Sequence, residues 1–105
     1  MKTITVQELK ERLENPAPGK SILIDVRSPD EYAEGHIPSA INRPIGGLAI
    51  YEEALRAYDH VYVHCLTGGR SGRVCARLSE IGLPDASSVE GGVTAWAAAG
   101  YPVER

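Results

Sequence analysis

The stretch Val61-Tyr62-Val63-His64-Cys65-Leu66-Thr67-Gly68-Gly69-Arg70-Ser71 decides how this chain is read. Its first four residues form a short apolar run, the mark of a buried strand. From Arg70 to Ile81 the spacing changes. Val74, Leu78 and Ile81 recur on one helical face, with Arg73, Arg77 and Glu80 on the opposite one. Cys65 thus stands at the end of a strand, in a tight loop that opens into a helix. A helix start presents unpaired N–H groups and the positive end of the helix dipole. Gly68 and Gly69 let the backbone fold around one point, and Arg70 adds a permanent charge. Such surroundings lower a cysteine pKa from about 8.5 to roughly 3.5–7.5. The expected species at Cys65 is a nucleophilic thiolate; the competing reading is an ordinary buried core cysteine.

Outward from this stretch, strands and helices alternate. Ile4 belongs to a short opening strand. Thr5-Val6-Gln7-Glu8 reads as a capping box for a helix whose apolar face is Val6, Leu9 and Leu13. Asn15-Pro16-Ala17-Pro18-Gly19 ends that helix and turns the chain. Ile22-Leu23-Ile24-Asp25-Val26 is apolar except for one aspartate, and unbroken apolar character predicts burial on both faces of a parallel sheet. Ser28-Pro29-Asp30-Glu31 is a second capping box with proline at the first helical position, and its short helix should stop at Gly35. Ala40-Ile41-Asn42 predicts a brief strand. Tyr51, Leu55 and Tyr58 share a face of one helix over about 50–58. Gly82 is a helix stop, Ala86 to Val89 a weak strand, and Val93 to Ala99 a helix anchored by Trp96 and ended by Gly100. The expected fold is α/β, a three-layer sandwich with a central, mainly parallel sheet flanked by helices. The Cys65 loop then lies at a carboxyl strand end, the usual place for a site in such sheets.

At 105 residues, with neither a repeat nor a linker, the chain is expected to form one domain over 1–105. Hydrophobic residues at 43% and charged residues at 24% describe an ordinary soluble domain with an adequate core. A net charge of −3 argues against a nucleic-acid footprint. No apolar run approaches membrane-spanning length, and the charged amino terminus does not read as a secretory signal, so a cytoplasmic protein is expected. Two cysteines ten residues apart and the scattered His36, His60 and His64 match no metal-ligand spacing, so neither metal nor cofactor is expected.

The residues also carry a resemblance. Ile24-Asp25-Val26-Arg27 with Glu31-Tyr32, Gly35-His36-Ile37-Pro38 and Ala40-Ile41-Asn42 looks like the amino-terminal signature of single-domain rhodaneses. Cys65 to Ser71 looks like their active-site loop, and Glu90-Gly91-Gly92 with Trp96, Gly100 and Pro102 like their carboxy-terminal signature. Three signatures in order, covering nearly the whole chain, are specific. The resemblance implies a sulfurtransferase. Its cysteine takes sulfane sulfur from thiosulfate or another persulfide-type donor, holds it as a persulfide, and passes it to cyanide, a thiol or a protein acceptor. It implies Cys65 as nucleophile, the Leu66, Thr67, Gly68, Gly69, Arg70 and Ser71 loop as substrate-binding, and Arg27 as an aid in holding anionic donors. Related dual-specificity phosphatases have a loop one residue longer. The six residues from Cys65 to Arg70 favour sulfur over phosphate, leaving a phosphatase or arsenate reductase as a lesser alternative. A sulfur-carrier or binding module that serves one partner protein is the other. Leu66 and Thr67 are neutral where thiosulfate-adapted members often carry basic side chains. A dianion must then rely on backbone amides and on Arg27, Arg70 or Arg73.

The remaining polar residues have blander readings. Cys75 and Trp96 are core. Asp25 accepts loop hydrogen bonds or a salt bridge, because an unpaired charge in an apolar strand is costly. His36 fixes a turn. His64 points to the sheet face opposite Cys65. Arg27 either meets substrate or pairs with Glu31, and Arg70 either meets substrate or braces the loop.

Overall fold

The computed structural model describes residues 2–83 and 86–105. Five strands, β1 (Lys2–Ile4), β2 (Ser21–Asp25), β3 (Ile41–Asn42), β4 (His60–His64) and β5 (Ala86–Val89), form one sheet in the order β1-β5-β4-β2-β3. Every neighbouring pair is parallel, with Asp25 of β2 opposite His64 of β4. The helices are α1 (Val6–Glu14), α2 (Pro29–Glu34), α3 (Leu48–Tyr51), α4 (Gly69–Glu80) and α5 (Gly92–Ala98).

Side chains alternate along β4 and so build two cores. Tyr62 joins Leu23, Leu9, Val93 and Trp96 beneath α1 and α5. Val61 and Val63 join Ile24, Val74 and Leu78 beneath α4, where Leu55, Leu48 and Tyr51 complete the layer. Helices thus cover both sheet faces, and this requirement makes the central strands apolar without alternation. The sandwich read from the sequence is the observed architecture.

Local chemistry sets the boundaries. Both capping boxes form: Thr5 and Glu8 exchange hydrogen bonds at α1, and Ser28 and Glu31 do so at α2. After α4, Gly82 adopts φ +88°. Its N–H donates to Ser79 O and that of Leu83 to Leu78 O, the paired bonds of a glycine-terminated helix. Gly100 closes α5 in the same way, with the Tyr101 N–H on Trp96 O. One expected helix differs. The 50–58 segment is α3 followed by a 3₁₀ turn, Glu53–Ala57. The Leu55 N–H donates to Glu52 O and that of Tyr58 to Leu55 O, so three residues make each turn. This winding eclipses Leu55 and Tyr58 against the same core, and so short a segment lacks the cooperativity that would hold an α-helix. No helix among the described residues is long and apolar enough to cross a membrane.

Candidate active site

Cys65 follows the last residue of central strand β4, at the carboxyl end of the sheet. The next three residues turn the chain back toward its sulfur. Gly68 supplies the bend with φ +115°, a left-handed conformation that a side chain resists, and becomes the N-cap of α4. The Gly68 N–H donates to Cys65 Sγ at 3.1 Å and the Ser71 N–H at 3.5 Å. Ser71 Oγ lies within hydrogen-bond reach of Sγ at 3.6 Å, of Gly68 O at 3.1 Å and of Ser88 Oγ of β5 at 2.7 Å. Burial is the largest influence on the Cys65 pKa and pushes it up. The Ser71 backbone and hydroxyl, with the Gly68 and Thr67 amides, outweigh it, and the thiol ionises below the free value. Cys75 shares the burial but has no such donors among the described residues, and its pKa is pushed up to about 12.

The sulfur lies on the floor of an open pocket of about 440 Å³ lined by Cys65, Leu66, Thr67, Gly69, Arg70 and Arg73. Only 2% of Cys65 is exposed, while Leu66 at the rim is 44% exposed. The mouth is open at Gly69, where an added Cβ would meet nothing within 4 Å. A larger cleft, 580 Å³, lies at the other end of β4 beside His60 and contains no cysteine. Its polar groups are engaged in turns, with Asp59 accepting from the Lys20 N–H and His60 Nε2 bonded to Pro18 O.

Two other segments hold the Cys65 loop. From α5, the Val93 N–H donates to Cys65 O at 3.0 Å and the Thr94 N–H to Leu66 O at 3.1 Å. That approach needs Gly92, because a Cβ there would collide with the Cys65 and Leu66 carbonyls. From α2, Glu31 takes both guanidinium nitrogens of Arg70, at 2.8 and 2.9 Å. Arg70 holds the Glu31 carboxyl down to about pKa 2.

The structure decides between the readings open for the arginines. Arg70 lines the pocket but forms a two-pronged brace to Glu31. Arg27 does not pair with Glu31, as one expectation had it; it is 4% exposed and folds back on Asp25. Its Nη2 donates to Asp25 Oδ2 at 2.7 Å and to Gly35 O at 2.6 Å, and its Nε to Asp25 Oδ1 at 3.0 Å. Geometry explains the choice: Asp25 is two residues back at the same buried strand end, whereas the Glu31 carboxylate sits between the Ser28 cap and Arg70. Truncating Arg27 would leave Asp25 unpaired, an uncompensated buried charge worth about 3–5 kcal/mol. Arg27 also lines a second cleft that adjoins the Cys65 pocket at Leu66.

The histidines keep to structural roles in the geometry. His36 Nδ1 donates to Tyr32 O at 2.8 Å, and its ring stacks on Tyr32 at 3.6 Å. His64 lies fully buried on the face away from the sulfur, its Nδ1 donating to Cys65 O at 3.2 Å. Its Nε2 finds no hydrogen-bond partner among the described residues and stands 3.7 Å from Asp25 Oδ2. Trp96 is buried, its Nε1 donating to Pro102 O at 2.7 Å. Sequence reasoning missed Ser88. Its signal was a polar pair, Ser87-Ser88, in a strand whose four residues are all buried. Among the described residues, no three His, Cys, Asp or Glu side chains are grouped to hold a metal.

Comparison with known proteins places the whole chain in a family. The rhodanese-like domain family model matches residues 5–99. A putative sulfurtransferase of Bacillus subtilis, YtwF, is 39% identical over 97 residues, covering 91% of this chain and 90% of its own. A sulfurtransferase of Allochromatium vinosum is 34% identical over 82 residues, 78% of this chain and 77% of its own. The crystal structure of a rhodanese-related protein from Thermoplasma volcanium superposes with a TM-score of 0.86 at 33% identity, covering 99% of this chain and 98% of that one. The chain belongs to the rhodanese-like domain family.

Proposed function

We propose that this protein is a sulfurtransferase that carries sulfane sulfur on Cys65. The observation that carries the reading is the ring of N–H donors around a buried but pocket-lining sulfur. The Cys65 thiolate attacks the outer sulfur of thiosulfate. The new Sγ–S bond forms as the S–S bond of the donor breaks, and its electron pair leaves with sulfite. The enzyme then holds a persulfide whose terminal sulfur bears the negative charge. Cyanide or a thiolate, free or on a protein, attacks that sulfur, and the Sγ–S electron pair returns to Cys65. Charge is conserved at each step and no proton transfer is needed, so a strong general base is not required. Amides directed into the loop stabilise the anion in both half-reactions, as preorganised dipoles do in a water-poor site. The loop of six residues, Cys65 to Arg70, suits one sulfur atom better than a tetrahedral phosphate. Leu66, Thr67 and Gly69 form the wall that meets the donor, and the Gly68 and Ser71 amides hold the sulfur behind it. Arg70 braces that wall against Glu31, and Arg27 holds the neighbouring strand end through Asp25 and Gly35. Two unpaired cysteines suit a reducing compartment, the cytoplasm.

Intact mass after incubation with thiosulfate tests the proposal. One sulfur atom should be gained, removed by cyanide, and absent in Cys65→Ser. A wild-type protein that takes up no sulfur from thiosulfate or an organic persulfide would refute it.

A further inference from the structure

We infer that Arg73 is the side chain that holds the anionic group of the sulfur donor and so sets the preference for donors that carry one. The inference rests on the sulfurtransferase reading and adds a specificity-determining residue to it. Three arginines are candidates for this role. Arg27 is buried and two of its nitrogens are bound to Asp25. Arg70 has given both terminal nitrogens to Glu31. Each of these charges already faces a carboxylate, and a dianion approaching either would have to displace it. Arg73 lines the Cys65 pocket, is exposed, and has no hydrogen bond or ion pair among the described residues.

The reason is legible along α4. The positions three and four residues from Arg73 on its own helix are Gly69, Arg70, Ala76 and Arg77. None is acidic, so no intrahelical partner draws the guanidinium away. Arg77, one turn on, is held by Glu52 across the surface, at 3.2 Å. Arg70 and Arg77, both already paired, offer it no acceptor, and Arg73 lines the pocket. One turn separates it from Arg70, so it is about 4.5 Å further along the helix axis. That is the right scale for a donor whose outer sulfur touches Sγ while its sulfonate oxygens reach outward. The first-turn amides of Gly69 and Arg70, which have no intrahelical acceptor, face the same end of the helix. Leu66 and Thr67 contribute no charge, which leaves Arg73 as the one unpaired cation among the residues lining this pocket.

Steady-state kinetics of Arg73→Ala, Arg73→Lys and the wild type, with thiosulfate as donor and cyanide as acceptor, test the assignment. The expected result is a rise of about tenfold in the thiosulfate KM for Arg73→Ala, the loss of one charge-assisted contact. The kcat and the KM for cyanide should change less than twofold, and Arg73→Lys should recover most of the affinity. The thiosulfate KM of the wild type should rise with salt more steeply than that of Arg73→Ala. An unchanged thiosulfate KM in Arg73→Ala, with the wild type still loading sulfur, overturns the assignment and leaves the sulfurtransferase reading standing. So does a wild type that loads from an organic persulfide but not from thiosulfate. Failure of the wild type to load from either donor overturns both.

Discussion

At Cys65 two effects oppose each other. Burial raises the cost of a negative sulfur, while the N–H groups of Gly68 and Ser71 and the Ser71 hydroxyl reward it. The donors win because the loop already aims them at the sulfur. At Cys75 burial prevails over a weaker pull from the amino terminus. A pH titration of alkylation should therefore find one reactive thiol. Its midpoint should lie below that of free cysteine, with Cys75 unlabelled until the protein unfolds. Ser71→Ala, which removes the hydroxyl but keeps the amide, should move that midpoint upward. A midpoint that stays put would mean that the amides alone hold the anion. Cys65 was legible in the sequence because its surroundings are local: strand, glycines and helix start lie within seven residues. The partners of Arg27 and Arg70 were not. The Arg70 brace joins residues 39 positions apart, and nothing in a linear pattern ranks Glu31 above other carboxylates.

Elements were legible wherever a short-range rule governed them. The capping boxes at Thr5 and Ser28, and the glycine stops at Gly82 and Gly100, lie where their residue types place them. The segment over 50–58 was misjudged because the apolar spacing of Tyr51, Leu55 and Tyr58 suits both an α-helix and a 3₁₀ turn, and packing chose between them. The grip of α5 on the Cys65 loop was only half legible. The glycine pair was visible, but the need for close approach was not. Gly92 has φ +55°, and an added Cβ would push against the Cys65 and Leu66 carbonyls. Gly92→Ala should destabilise the fold by about 2–3 kcal/mol, in the range of strained-backbone substitutions. Because the strain falls on the loop, it should also slow persulfide formation by more than tenfold under conditions where the variant stays folded. Gly69→Ala is the control: it sits in open space at the start of α4, and its stability should match the wild type within about 0.5 kcal/mol. Similar losses in both variants would show that close approach is not the reason for Gly92.

Across the whole molecule, the buried polar chain from Asp25 to His64 links stability to pH. Burial pulls the His64 pKa from 6.5 down to about 4, against the attraction of Asp25; Arg27 and His36 push in the same direction as burial. The unfolded chain takes up a proton near pH 6.5 that the native protein refuses until about pH 4. Stability is thus fully present above pH 6.5 and falls as the pH drops through that window, by at most on the order of 3 kcal/mol. Urea midpoints at pH 7.5 and pH 5 should show the fall, and His64→Gln should show a shallower one. An equal fall in the variant would place the acid sensitivity elsewhere. Fully buried and one residue from the nucleophile, His64 invites a catalytic reading, yet strand alternation alone directs it to the other face.

The sheet is widest in hydrogen bonding at its middle and narrow at both borders. Its outer strands, β1 and β3, have three and two residues. Unpaired edges of longer strands offer a template on which further chains can add. Here each border ends before a second molecule can align more than a few bonds, and in concentrated solution the sheet offers little purchase for seeding a fibril.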